Sequence, residues 1–205
     1  PAAADGEGNP SDAMDADALE DVVVYLETMT LNGDYVVVGW NSVSFDFRVL
    51  WSWMPTRELK DRVARLTARS VDPMLNFFMA KGFPVGLNAV AKAMTPWCVK
   101  SGAGGDVADK WLDGTAQDRA EIVAYCERDV DVLSTVLSAI DGKGGIAWIT
   151  KSTKRMATWL PASPADALAN LETVLTLPEP DNSWMQEPRP TRDKFVAWMQ
   201  AGHVA

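Results

Sequence analysis

Residues 35–47 read Tyr-Val-Val-Val-Gly-Trp-Asn-Ser-Val-Ser-Phe-Asp-Phe. The run from Tyr35 to Val38 is short, continuous and rich in valine, with Asn32-Gly33-Asp34 before it and Gly39 after it. A β-branched run without polar alternation fits a buried strand of a parallel or mixed sheet. Beyond Gly39 the pattern changes. Ser44 is placed to cap a helix that carries Phe45, Val49, Leu50 and Trp53, with Pro55 near its end. Asp46 then falls in the first turn of that helix, where the helix dipole favours a carboxylate. A strand that leads straight into a helix start implies an α/β fold.

Upstream, Leu19, Val22, Val23, Leu26 and Met29 repeat at helical spacing, and Asp17 with Glu20 forms a capping-box pattern. Residues 1–15 are read as an acidic flexible tail without apolar period. Downstream, a basic amphipathic helix is expected over 57–69. Ser70-Val71-Asp72-Pro73 reads as a very short second strand running into a helix that Gly82 and Pro84 end. A short helix over 87–94 and a glycine-rich loop over 101–106 follow. A long helix runs from Thr115, with Asp118 as its capping partner, to about Ile140. Residues 143–205 form a C-terminal extension. In it, Gly-Ile-Ala-Trp-Ile and Met-Ala-Thr-Trp-Leu flank the turn Lys151-Ser-Thr-Lys154 as a β-hairpin, and helices follow around a Pro-rich stretch over 177–190.

The chain has 205 residues, 28 acidic and 19 basic side chains, a formal charge of −9, one histidine and two cysteines. Its apolar runs fall far short of the roughly 20 residues a membrane helix needs. Cys98 and Cys126 are too few for a disulfide framework or a zinc ribbon, which makes a reducing, cytoplasmic setting the default. A single His203 excludes two-histidine metal motifs. The net charge alone argues against nucleic acid, but its distribution does not. Residues 1–35 hold nine acids and no bases, residues 47–100 hold nine bases and three acids, and residues 101–142 hold nine acids and three bases. A basic and an acidic segment are hidden in the total.

The acidic segment contains Tyr125-Cys-Glu-Arg-Asp129. Tyr125 and Asp129 lie four residues apart and share one face of the long helix. Together with Asp46 they supply what a divalent-metal site for phosphoryl chemistry needs. Carboxylate oxygens hold Mg²⁺ or Mn²⁺, and a phenol can position the attacking water.

These two stretches resemble the DEDD 3′–5′ exonucleases of the ribonuclease-H-like superfamily, in the tyrosine-type subgroup. The family's second motif matches Asn41-Ser-Val-Ser-Phe45-Asp46, with Trp40 where an aromatic or histidine is usual, and its third matches Tyr125-Cys-Glu-Arg-Asp129. The resemblance covers roughly residues 16–140. It implies a ribonuclease-H-like exonuclease domain over 16–142, Asp46 and Asp129 as metal ligands, Tyr125 as the catalytic residue that orients water, and Asn41 and Phe45 beside the substrate. It implies Mg²⁺ or Mn²⁺ as cofactor and the 3′ end of a single-stranded nucleic acid as partner, DNA ahead of RNA. The family's first motif, a strand bearing Asp-x-Glu followed by two more strands, has no counterpart. Asp5-Gly6-Glu7 matches its letters but has Ala, Gly and Pro around it. The expectation is therefore a fold lacking its first three strands, with those strands upstream of Pro1 or on another polypeptide.

Several features keep two readings. Asn41 touches substrate or caps the turn at Ser44. Lys151, Lys154 and Arg155 contact phosphate or decorate a solvated turn above Trp148 and Trp159. The basic face of 57–69 binds a nucleic-acid backbone or only solvent. At the level of function, the alternative to an exonuclease is a catalytically incomplete ribonuclease-H-like module that binds nucleic acid or a protein.

Overall fold

The computed structural model describes residues 15–31, 35–100, 107–161 and 164–200, apart from the side chains of 16, 108, 109, 164, 165 and 200. Asp5, Glu7, the Asn32–Asp34 turn, the 101–106 loop and His203 lie outside them. The described chain is helix-rich with one two-stranded antiparallel sheet, so it is mixed α and β. It divides into two compact units. One, the split unit, comprises residues 15–86 and 160–200; the other, the inserted unit, comprises Leu87–Trp159. This division crosses the boundary expected at residue 142, because the long helix and the hairpin belong to one unit.

In the split unit, α1 (Ala16–Leu31), α2 (Asp46–Trp53) and α3 (Arg57–Arg69) come together around Val23, Phe47, Met54, Leu59, Val63 and Leu66. Leu19 and Leu26 pack against this cluster, as their helical spacing requires. The N-cap of α1 is Asp15, whose carboxylate accepts from the Ala18 amide at 2.9 Å, and not the expected Asp17. Thr56 caps α3 by accepting from Leu59 N. Arg62 of α3 donates to Glu27 of α1 at 2.6 Å and 3.0 Å, so part of the basic face is spent inside the fold.

A second cluster joins Val43, Leu75, Phe78 and Met79 to Leu171, Val174 and Val196. It brings α4 (Pro73–Lys81) together with α9 (Leu171–Thr176) and α10 (Arg192–Gln200), elements about a hundred residues apart in sequence. Burying each of these large side chains contributes about 1.5–3 kcal/mol. Gly82 closes α4 at φ 77°, and a Cβ there would lie 2.8 Å from the Asp181 carbonyl oxygen. No other residue type fits without displacement.

The strand expected over 35–39 is reduced to a single parallel bridge, Val38 to Val71, with Val71 bridged on its other side to Asn170. The Gly39 amide donates to the Val71 carbonyl and the Val71 amide to the Val37 carbonyl. The expected burial is also absent at one end, for Tyr35 is 64% and Val36 56% exposed. The physical reason is an unpaired edge. Among the described residues no segment hydrogen-bonds to the backbone of Val36 or Val38, and so short a pairing does not make a stable sheet.

In the inserted unit, α5 (Leu87–Met94) buries Leu87, Val90, Ala91 and Met94. A short α6 (Val107–Asp113), not expected from the sequence, precedes α7 (Ala116–Lys143). Thr115 and Asp118 form the expected capping box of α7, and Gly144 ends it in the left-handed region at φ 68°. The hairpin is as expected: β1 (Ile146–Ile149) pairs with β2 (Met156–Trp159), Ile146 opposite Trp159. Short α8 (Pro164–Ala167) follows in the split unit. No helix among the described residues is long and apolar enough to cross a membrane.

Candidate active site

The loop that leads to Asp46 is held from several directions within the split unit. Its anchor is Asp72, only 2% exposed, at the N-cap of α4. One carboxylate oxygen accepts from the amides of Asn41 (2.9 Å), Met74 (3.1 Å) and Leu75 (3.3 Å), the other from Val43 (3.2 Å). The same side chain thus caps one helix and fixes the loop preceding another. Burial is the dominant influence on its ionisation and outweighs the four donors, so the carboxyl is pushed up to about 6.

Further bonds complete the clamp. Trp40 Nε1 donates to the Val85 carbonyl at 2.9 Å, and Trp198 Nε1 of α10 to the Val43 carbonyl at 2.8 Å. Ser42 Oγ donates to the Gly39 carbonyl, and a Cβ on Gly39 would lie 2.4 Å from Ser42 Cβ. Asn41 adopts φ 63°, a conformation asparagine tolerates better than most residues. Its Oδ1 accepts from Ser44 Oγ at 2.6 Å, so of its two roles the turn-holding one is formed. Ser44 spends its hydroxyl there and does not cap α2, whose N-cap is Phe45 without a side-chain bond. Asp46 begins α2, exposed as expected for a first-turn acid, and Phe45 presents its ring to solvent.

Tyr125 and Asp129 belong to the inserted unit. Both are half-buried, one turn apart on α7. The sequence reading missed their partner, Lys100. Its Nζ lies 2.5 Å from Asp129 Oδ2 and 5.7 Å from the centre of the Tyr125 ring. Burial works against the lysine's charge, but the hydrogen bond and charge of Asp129, with a smaller contribution from Tyr125, outweigh it and raise its pKa. Asp129 Oδ1 is buried and has no hydrogen-bond partner among the described residues. Cys126, beside them, is exposed, and burial of its thiol together with the Asp129 charge pushes its pKa up, which keeps the thiol protonated.

Asp46, Asn41 and Phe45 thus lie in one unit and Tyr125 and Asp129 in the other. Among the described residues no three of His, Cys, Asp and Glu gather in a group able to hold a metal ion. The unpartnered Oδ1 of Asp129 suits one ligand position for a hard cation, while Oδ2 is already neutralised by Lys100. Asp129 would lend a divalent ion one oxygen, short of the several fixed oxygen ligands that such an ion requires. Comparison of the chain with family models, with curated proteins and with solved structures finds no match in any of the three.

Proposed function

We propose that this chain carries the second and third motifs of a tyrosine-type DEDD 3′–5′ exonuclease of ribonuclease-H-like fold and hydrolyses phosphodiester bonds at the 3′ end of a nucleic acid, DNA ahead of RNA. The observation that carries the reading is the pair on α7: a phenol one turn from a carboxylate whose second oxygen is buried and unpartnered. Asp46 and Asp129 are the residues that would hold Mg²⁺ or Mn²⁺. Such ions, when bound, neutralise the charge that develops on the attacking and leaving oxygens. Tyr125 is the group that orients water by hydrogen bonding, and the clamp around Asn41 holds Asp46 in place at low entropic cost. Phe45 offers an exposed ring on which a terminal base can stack.

The open backbone edge at Val36–Val38 supports the further reading that an upstream segment or another chain adds strands there. Two free cysteines suit a cytoplasmic setting. The test is degradation of a 3′-labelled single strand with Mn²⁺, comparing the chain with its Asp129→Ala variant. Cleavage that depends on Asp129 is expected; cleavage that survives the substitution removes the assignment.

A second reading is a nucleic-acid-binding module that does not cut. It is favoured by the ion pair of Asp129 with Lys100, which neutralises the carboxylate with no metal ion. Oligonucleotide binding without cleavage at any Mn²⁺ concentration would establish it.

A further inference from the structure

The β1–β2 hairpin lies beyond the stretch that resembles exonucleases, and its tip carries three cations. Lys151, Lys154 and Arg155 are exposed, and none of them has an ion pair with a described residue. The sequence gives them no acidic neighbour either, since no Asp or Glu occurs between Asp141 and Asp166.

The tip is fixed and not a loose loop. The Thr150 amide donates to the Arg155 carbonyl at 2.9 Å, and the Lys154 amide to the Thr150 carbonyl at 3.1 Å. The hydroxyls of Thr150 and Thr153 share a hydrogen bond of 2.5 Å, and both accept from the Arg155 amide at 3.3 Å and 3.4 Å. At its base, β1 is anchored to α5: Ile146 is fully buried, and the Ala147 amide lies 3.3 Å from Met94 Sδ.

Within this turn Lys154 adopts φ 56°, a left-handed conformation in which glycine or asparagine is the unstrained choice. A lysine held there by surrounding hydrogen bonds is a local strain of the kind that marks functional positions. The charge is what a glycine would lack. The turn Lys-Ser-Thr-Lys-Arg itself has no apolar side chain, and the exposed Met156 beside it is a single such group, too little to anchor the tip in a bilayer, which favours a soluble polyanion as its partner.

We propose that the hairpin tip, through Lys151, Lys154 and Arg155, is a phosphate-binding element that grips the backbone of a single-stranded nucleic acid. The inference rests on the nucleic-acid reading given above, but not on cleavage. Contacts of this kind carry little sequence information and act through release of counterions, so their signature is the salt dependence of affinity.

The test uses the full chain, EDTA to prevent hydrolysis, and the fluorescence anisotropy of a fluorescein-labelled oligodeoxythymidylate over a range of salt. Removing three phosphate contacts with Lys151→Ala, Lys154→Ala and Arg155→Ala together is expected to flatten the log–log salt slope by about 2 and to weaken binding about tenfold or more. Lys154→Gly separates charge from structure. It relieves the strained backbone, so the melting temperature should hold or rise while the slope flattens by about 0.7. An unchanged slope in these folded variants overturns the proposal and leaves the nucleic-acid reading standing. No binding by the unmodified chain overturns both. Binding of phosphatidylserine vesicles in place of the oligonucleotide, lost with the same substitutions, also overturns it. Binding that follows the expected slopes without any Mn²⁺-dependent cleavage supports the hairpin and sinks the exonuclease reading alone.

Discussion

Asp72 in the split unit is buried and Asp129 in the inserted unit half-buried, and the two are satisfied in opposite ways. Asp72 has four backbone amides and, among the described residues, no ion-pair partner, and its charge is disfavoured by burial. Asp129 has a lysine on one oxygen and, among the described residues, no hydrogen-bond donor on the other. The first arrangement puts both carboxylate oxygens to work on backbone amides, which suits a structural anchor. The second leaves one oxygen without a donor among the described residues, beside a phenol, and it is on this difference that the proposed role of Asp129 rests. A carboxylate at a helix N-cap and one in the middle of a helix are thus separated by what donates to them.

The sharpest way to break this contrast is Asp72→Ala. It strips four amides of their acceptor and uncaps α4, and the split unit should lose about 3–5 kcal/mol in chemical denaturation. A loss below about 1 kcal/mol would mean that the clamp is not an anchor.

Acidity is the next probe. The Asp72 carboxyl goes from its ordinary 3.8 in the unfolded chain to about 6 in the folded one. In that window the folded state holds the proton more tightly, so the contribution is full below pH 4 and fades as pH rises through 6. The chain should therefore lose about 3 kcal/mol of stability over that range relative to Asp72→Asn, whose side chain does not titrate. Parallel pH profiles for the two proteins would show that the four donors fully offset burial and leave the carboxyl at its ordinary value.

The smallest effect is expected at the other carboxylate. Lys100→Met removes the ion pair, but Asp129 is partly open to solvent, so the cost should be about 1 kcal/mol, or about 2–4 °C in melting temperature. A loss as large as that at Asp72 would make Asp129 a structural anchor too, and would weaken its candidacy for metal binding.

What the sequence made legible was local. Helices over 57–69 and 87–94 follow from periodicity, the start of α7 from Thr115 and Asp118, and the hairpin from two apolar runs about a basic turn. Tyr125 and Asp129 could be placed on one face because helical spacing guarantees it. What escaped was whatever depends on contacts across the chain. Lys100 reaches Asp129 from 29 residues away and has no pattern of its own. Asp72 was readable as a residue before Pro73, but its bonds to Asn41 and Val43 are made by folding and not by spacing. Ser44 was misread as a cap because its hydroxyl has a competing partner in Asn41, which only the left-handed turn brings within reach. The strand at 35–38 has the composition of a buried element, and its exposed end follows from the lack of a backbone partner among the described residues and not from a lack of propensity.

The hydrogen bond from Trp198 to the Val43 carbonyl spans 155 positions of the chain. During synthesis from the N-terminus, the loop that presents Asp46 leaves the ribosome long before the indole that secures it. Leu87–Trp159 is then complete while the surrounding unit still lacks α9 and α10, so the inserted unit is free to fold first. A chain with Leu87–Trp159 already outside the ribosome and α10 still within it would have Lys100, Tyr125 and Asp129 free to come together, and its Asp46 still waiting for the last helix.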